Sequence, residues 1–476
     1  MLFNSFTFAI FLCVVFAAFW SIPQRLRRTR NMLLLVASYV FYGWWDWRFL
    51  ALIFVSSLVD FFVGLRLAQT ERQAGRRLLL SLSLAVNLGM LAAFKYFNFF
   101  AASLAAVFSA LGMRAGWTDL NIILPVGISF YTFQTLSYTI DIYRRQLEPT
   151  RDVVAFFAFV SFFPQLVAGP IERASHLLPQ FLSPRAFHDT RARDGLRMML
   201  WGLFKKTVVA DNLAPIVDVI FANTADQSAA TLWVGIFYFS MQIYCDFSGY
   251  SDIAIGTARL FGFDLSRNFA TPYFARDVGE FWRRWHMSLS TWFRDYVYIP
   301  LGGNRTSRPR YFFNLFATFT LSGLWHGANW TFVVWGALHG LFYLPLVFGK
   351  RSRQATHTIA QGGWFPSRRE VVQLSVTSLA VLLAWVFFRA DSITHALQYL
   401  RGMFTYTSQT ALSGLLEPLP FALGMLLMEW LHRERPHSLE ISDHPVWVRW
   451  AIYYVLVLII WIYRAGGAES FIYFQF

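Results

Sequence analysis

Long apolar runs separated by short polar breaks organise this chain, and many of the runs are as long as a bilayer is thick. Residues 6–22 form the first run. Residues 31–45 and 49–65 follow, parted by a turn whose Trp44, Trp45 and Trp47 suit the headgroup level of a membrane. Residues 78–111 make a long stretch broken by Lys95, which reads as one tilted span or as a span with an interfacial piece. Residues 121–140 come next, then 153–170, which end in FFPQLVAGPIER. Pro164, Gly169 and Pro170 break a helix there. Broken backbone at membrane depth needs protein or a water cavity around it, so the segment reads as re-entrant or pore-lining, or as a helix end at the interface. Further runs lie at 195–221, 230–245, 311–347, 371–389, 412–431 and 446–464. The pattern predicts an all-α polytopic membrane protein of roughly eleven spans. Residues 172–194, rich in Arg and His, read as a solvent loop. No repeat of 20–50 residues is visible, which removes support for a repeat-built transporter.

Composition agrees with this pattern. Of 476 residues, 56% are hydrophobic and 14% charged, against about 25% charged in soluble domains. The net charge of +14 comes from 41 Lys and Arg against 27 Asp and Glu. No basic face or module for nucleic acid is present. The excess is instead read as loop charge on the cytoplasmic side, with acidic headgroups as attracting surface. Arg25, Arg27, Arg28 and Arg30 make one such loop, and Arg66, Arg72, Arg76 and Arg77 another. The first run has its charges after it, not before it, so it reads as a span rather than a signal peptide, with the N-terminus outside. Cys13 and Cys245 are too far apart for a zinc pattern or a disulfide framework and read as small buried hydrophobes.

Candidate chemistry concentrates between Asp246 and His326. In 280–296, Phe281, Trp285, Leu289, Trp292 and Tyr296 recur at helical spacing. Arg283, Arg284, His286, Ser290 and Arg294 take other faces, so this stretch predicts one amphipathic helix in the interface. Its polar side either lies at the lipid surface or lines a cavity for a polar or anionic substrate group. Leu301–Arg305 reads as a glycine turn. Asp246 and Asp252 follow an apolar run, with Gly249 and Gly256 loosening the helix, and need partners such as Arg259, Arg283 or Arg284. Helix-locking ion pairs are the favoured role for these carboxylates. His326, between Trp325 and Gly327 at the end of a span, is the favoured functional residue. Ionisable groups at membrane depth are functional candidates, and imidazole moves protons near neutral pH. His339 has weaker context, and His176, His188 and His357 lie in polar loops. P-loop, dinucleotide-binding, nucleophile-elbow and HExxH patterns are absent.

Four strings together, FFPQLVAGPI (162–171), DFSGYSDIAIG (246–256), EFWRRWHMSLSTWFRDYVYIPLGGNR (280–305) and GLWHGANWTFVVWGALHG (323–340), resemble the membrane-bound O-acyltransferase family. Within it they are similar to the bacterial branch of alginate O-acetyltransferase membrane subunits, and the closing FIYFQF fits that branch. The resemblance runs over the whole chain and implies one domain, 1–476, with its motif core at 246–340. It implies a ring of tilted helices around a central funnel. It implies transfer of an acyl group from a thioester, acetyl-CoA, to a hydroxyl, with no permanently bound cofactor and no metal. His326 takes the family's catalytic position and His286 that of a second important polar residue. Asp246, Asp252, Arg283, Arg284, Trp325 and Asn329 are the expected supports, with Asn329 or His286 as oxyanion donors. The implied setting is the bacterial inner membrane, the acceptor an exported polysaccharide, and the partner a periplasmic or extracellular acetyltransferase. D-alanyl transfer to teichoic acid and acyl or polysaccharide transport without chemistry are the rival readings.

Overall fold

The computed structural model describes residues 1–113, 123–167, 169–349, 358–405, 414–464 and 471–472. Lys350, Arg351, Arg353, His357, residues 121–122 and most of FIYFQF lie outside the described residues. Among the described residues every regular element is helical. They fall into two compact units, Met1–Ala192 with Thr257–Ser266, and Arg193–Gly256 with Arg267–Phe476.

The first unit begins with α1 (Phe6–Ser21), α2 (Arg27–Asp46) and α3 (Leu50–Gln69). The aromatic turn between α2 and α3 forms as expected. Asp46 accepts from Arg48 N at 3.0 Å, and Trp44 and Trp47 stay exposed. α4 (Gln73–Leu91) passes through a π-helical turn holding Lys95 into α5 (Phe97–Ala110), so Gln73–Ala110 is one continuous helical stretch. α6 (Ile128–Tyr143) starts after Gly127, whose φ is +75°. A Cβ at Gly127 would sit 2.6 Å from the Leu166 carbonyl oxygen, so only glycine fits.

The broken segment is α7 (Val153–Ser161) and α8 (Phe163–Leu166), buried almost throughout. Its freed backbone groups find protein partners. The Phe159 carbonyl accepts from Gln134 and Gln165 at 2.9 and 2.8 Å, and Phe163 N donates to Ser38 Oγ at 3.0 Å. Asp60 is buried among neutral donors, taking Asn87 at 2.8 Å, Thr139 at 2.9 Å and Ser83.

Residues 172–194 are not a solvent loop. They contain α9 (Ala174–Leu182), which buries Ala174, Leu177, Leu178 and Phe181, and Glu172 is buried beside it. Four apolar positions at helical spacing outweigh the polar composition.

The second unit carries most of α10 (Asp189–Leu203), then a π-helical turn, α11 (Asp211–Ala222) and most of the 32-residue α12 (Ala229–Leu260). Gly249 and Gly256 do not loosen α12. They let it press against α10: a Cβ at Gly249 would lie 2.7 Å from Gly202 O, and one at Gly256 2.4 Å from Gly195 O. There follow α13 (Val278–Arg284), α14 (Met287–Phe293), α15 (Arg308–His326), α16 (Trp330–Leu341), α17 (Leu344–Phe348), α18 (Arg368–Arg389), α19 (Ile393–Gly402), α20 (Leu419–Leu431) and α21 (Val446–Tyr463). Cys245 is buried as expected, whereas Cys13 is exposed. Among the described residues, five helical stretches are long and apolar enough to cross a bilayer: Arg27–Gln69, Gln73–Ala110, Trp330–Phe348, Arg368–Arg389 and Val446–Tyr463. Phe6–Ser21, Val153–Leu166 and Leu419–Leu431 are apolar but shorter.

Candidate active site

The stretch expected to be one amphipathic helix is two. α13 ends at Arg284, Trp285 is extended, and His286 adopts the left-handed region with φ +40° before α14 begins. A non-glycine residue is strained there and needs its surroundings to hold it. The backbone on both sides supplies the restraint. Ala270 N donates to Arg284 O, and Met287 N donates to Asn268 O, each at 2.9 Å. The Asn268 side chain completes the clamp, donating to Ser251 at 3.0 Å and accepting from Ser288 at 2.6 Å. Periodicity alone could not reveal the break, because the apolar stripe continues through it. The fully buried His286 ring meets Phe247 edge-on at 4.6 Å between centroids.

His326 is the last residue of α15. α15 and α16 fold back on each other across glycine: a Cβ at Gly323 would lie 2.2 Å from Phe332 O, and one at Gly336 2.3 Å from Phe319 O. Gly327 is equally constrained, since a Cβ there would come within 2.1 Å of the Phe332 ring. The close approach seats the buried His326 ring among Trp325 and Trp335, both 5.0 Å away, and Phe388 at 5.4 Å. His286 lies 6.4 Å from His326, centroid to centroid, and 6.0 Å from Trp325.

His339 belongs to the same nest, which its sequence context understated. Trp282 Nε1 donates to His339 Nδ1 at 3.2 Å, and the ring lies 4.9 Å from Trp335. The visible signal was Trp335 and His339 one helical turn apart, beside the glycine pair Gly336 and Gly340.

A cavity of about 480 Å³ abuts this nest. One wall is Tyr311, Leu315, Thr318, Phe319 and Ser322, a single face of α15 that ends one turn before His326. The other wall carries Arg283, Met287, Ser290 and Arg294, beginning beside His286. Arg283 is therefore at the cavity, as the polar-face reading expected. Arg284 is not: it pairs with the buried Glu280 at 2.9 Å, as does Arg276 at 3.0 Å, and so fixes α13.

Asp246 and Asp252 find lysines, not the arginines expected. Lys206 bridges Asp246 at 2.8 Å and Asp211 at 2.7 Å, while Lys205 takes Asp252 at 2.8 Å. Ile472 N donates to Asp246 Oδ2 at 2.6 Å. Glu429, also buried, accepts Tyr244 OH on both oxygens at 2.7 and 2.9 Å. Lys205, Lys206 and Glu429 were visible as charges inside apolar runs, the signal that singled out His326. Asn329 caps α16, accepting from Thr331 N at 3.1 Å and donating to Asp391 O at 2.9 Å. Both ends of its amide are thereby engaged in structure, away from the oxyanion role expected of it.

Comparison with known proteins adds independent findings. Residues 144–362 match the model of the membrane-bound O-acyltransferase family. The chain is 41% identical over 413 residues to a protein of Azotobacter vinelandii named "Probable alginate O-acetylase AlgI", covering 86% of this chain and 79% of that one. It is 36% identical over 397 residues to the peptidoglycan O-acetyltransferase of Helicobacter pylori, covering 78% and 73%. A teichoic acid D-alanyltransferase of Streptococcus thermophilus is 29% identical over 234 residues, covering 45% of this chain.

Proposed function

The chain belongs to the membrane-bound O-acyltransferase family, and from that premise we propose that this O-acyltransferase acetylates an exported polysaccharide, with His326 as its general base. The observation that carries the reading is the pair of buried imidazoles, 6.4 Å apart, near a cavity whose lining includes Arg283, Arg294, Met287 next to His286, and Ser322 one turn before His326. The 41% identity to an alginate O-acetylase supports an alginate-like acceptor over the D-alanyl rival.

In this mechanism the acyl donor, an acetyl thioester such as acetyl-CoA, lies along the α15 face. Guanidinium groups are suited to phosphate, so Arg283 and Arg294 hold the donor's phosphate end. His326 takes the proton of the acceptor hydroxyl as its oxygen attacks the thioester carbonyl. The carbon–sulfur bond breaks and the thiolate receives the proton. His286, beside the reacting carbonyl, donates to the developing oxyanion. Trp325 holds both rings in place, while Asp246, Asp252 and Arg284 keep the helices fixed and touch no substrate.

The protein sits in the bacterial inner membrane with its N-terminus outside and Arg25–Arg30 inside, as the loop charge supports. Donor and acceptor then lie on opposite faces, and a periplasmic acetyltransferase partner completes delivery. The motif core 246–340 and the rest of 1–476 act as one catalytic domain.

The test is transfer of labelled acetyl from acetyl-CoA by the purified protein in nanodiscs, paired with mass spectrometry of the exported polymer. Acetyl ester on the polymer is the expected product. D-alanyl ester there, or no acetyl transfer from any thioester, would overturn the reading.

A further inference from the structure

The first unit holds a groove of about 500 Å³ where α3 and α6 end and α4 begins. Its place in the membrane follows from its neighbours. It opens at Gln69–Thr70, between two apolar stretches each long enough to span, Arg27–Gln69 and Gln73–Ala110. That is headgroup depth. Leu65 and Ala68 of α3 give it an apolar wall.

Two guanidiniums, Arg145 and Arg151, and two carboxylates, Glu71 and Glu148, line the groove. All four are exposed, and none has a side-chain hydrogen-bond or ion-pair partner among the described residues. Opposite charges around one groove that do not close on each other leave both signs available to a ligand. The floor is neutralised, so that it does not repel an anion. Two helix C-termini meet there and would together carry a charge of about −1. Arg76, buried beneath, donates to Leu67 O, Thr70 O, Ile142 O and Tyr143 O and offsets that charge.

Arg145 supplies the third observation. It closes α6 at the position that glycine usually takes, with φ +60° and Gln146 N donating to Asp141 O at 2.8 Å. A side chain is strained in that region. The chain keeps a guanidinium there, directed to the groove.

We propose that this groove binds the headgroup of a zwitterionic phospholipid carrying a phosphate and a primary ammonium, a phosphoethanolamine head. Arg145 and Arg151 take the phosphate, Glu71 and Glu148 the ammonium, and the Leu65–Ala68 wall the start of the acyl chains.

The experiment measures thermal melting of the detergent-purified full chain with dihexanoyl phosphatidylethanolamine, with the matching phosphatidylglycerol and phosphatidylcholine, and with free phosphoethanolamine. The ethanolamine lipid raises the melting temperature most. Arg145→Gly and Glu148→Gln each weaken its apparent affinity at least tenfold. Arg145→Gly, relieved of strain, melts no lower than the parent without lipid, so lost binding and lost folding are distinguishable. A phosphatidylglycerol shift equal to or above that of the ethanolamine lipid overturns the assignment. So does a full shift from free phosphoethanolamine, which would make the ligand a soluble one. Variants that bind as the parent does overturn it as well.

Discussion

Two buried polar regions of the second unit are built on opposite rules. Around Asp246 every charge is met by another: Lys206 bridges two carboxylates, and Ile472 N closes the remaining oxygen of Asp246. Around His326 the neighbours are rings, Trp325, Trp335 and Phe388, with a second imidazole across from it. A buried ion pair locks its surroundings, because separating the partners strands a charge. An imidazole is at home neutral, needs no counter-ion, and can take up or give up a proton near neutral pH. One region is thus buried so that nothing moves; the other, on the function proposed, is buried so that a proton can move.

The largest effect expected from breaking this contrast is on chemistry. His326→Ala lowers acyl transfer by about 10²–10⁴-fold in the fraction that stays folded, measured with labelled thioester in nanodiscs. Lys206→Met should do the reverse. It leaves two buried carboxylates without their cation and costs about 3–5 kcal/mol of stability, read by thermal melting in detergent. Were Lys206→Met to melt normally and lose transfer as His326→Ala does, the lysine would be part of the chemistry and the contrast would fail.

Smaller effects sharpen the same comparison. Gly336→Ala pushes a methyl to 2.3 Å from Phe319 O, so α16 must shift away from α15, at about 1–3 kcal/mol. Its transfer rate falls with its stability because His326 moves with the helix end. Trp282→Phe removes the donor to His339 Nδ1 and costs about 0.5–1.5 kcal/mol. A melt indistinguishable from the parent's would show that this bond contributes nothing. Smallest is a pH effect in the first unit. Glu172, 2.7 Å from His176 Nδ1, raises that exposed imidazole above its ordinary value of 6.5. Its stabilisation is fully present below pH 6.5 and fades as pH rises through the raised value. The difference in melting temperature between the parent and His176→Gln should therefore shrink from acid to alkaline pH.

Much was legible before folding. The apolar runs located α2, α3, α18 and α21 closely, since a lipid-facing helix needs apolar residues over a set length. The motif strings and the rule that membrane-depth ionisable groups are rarely idle singled out His326. What failed had a common cause. A composition-based reading assigned 172–194 to solvent, yet spacing buries α9. An unbroken stripe suggested one helix at 280–296, but local periodicity carries no information on a backbone pinned by residues 268–270. Glycines in α12 looked like weak points, and proved to be contact points with α10. Lys205, Lys206 and Glu429 obeyed the same rule as His326, but their partners lie far along the chain.

By itself the sequence determined the class of molecule, its apolar helices and the histidine at the end of α15, because hydropathy, length and residue chemistry are local quantities. Only the tertiary structure decided that His286 turns left-handed and comes within 6.4 Å of His326. It also decided that His339 joins them and that lysines neutralise Asp246 and Asp252. Each of these rests on contacts between distant segments, which the close packing of glycine faces and the need to pair buried charges select together.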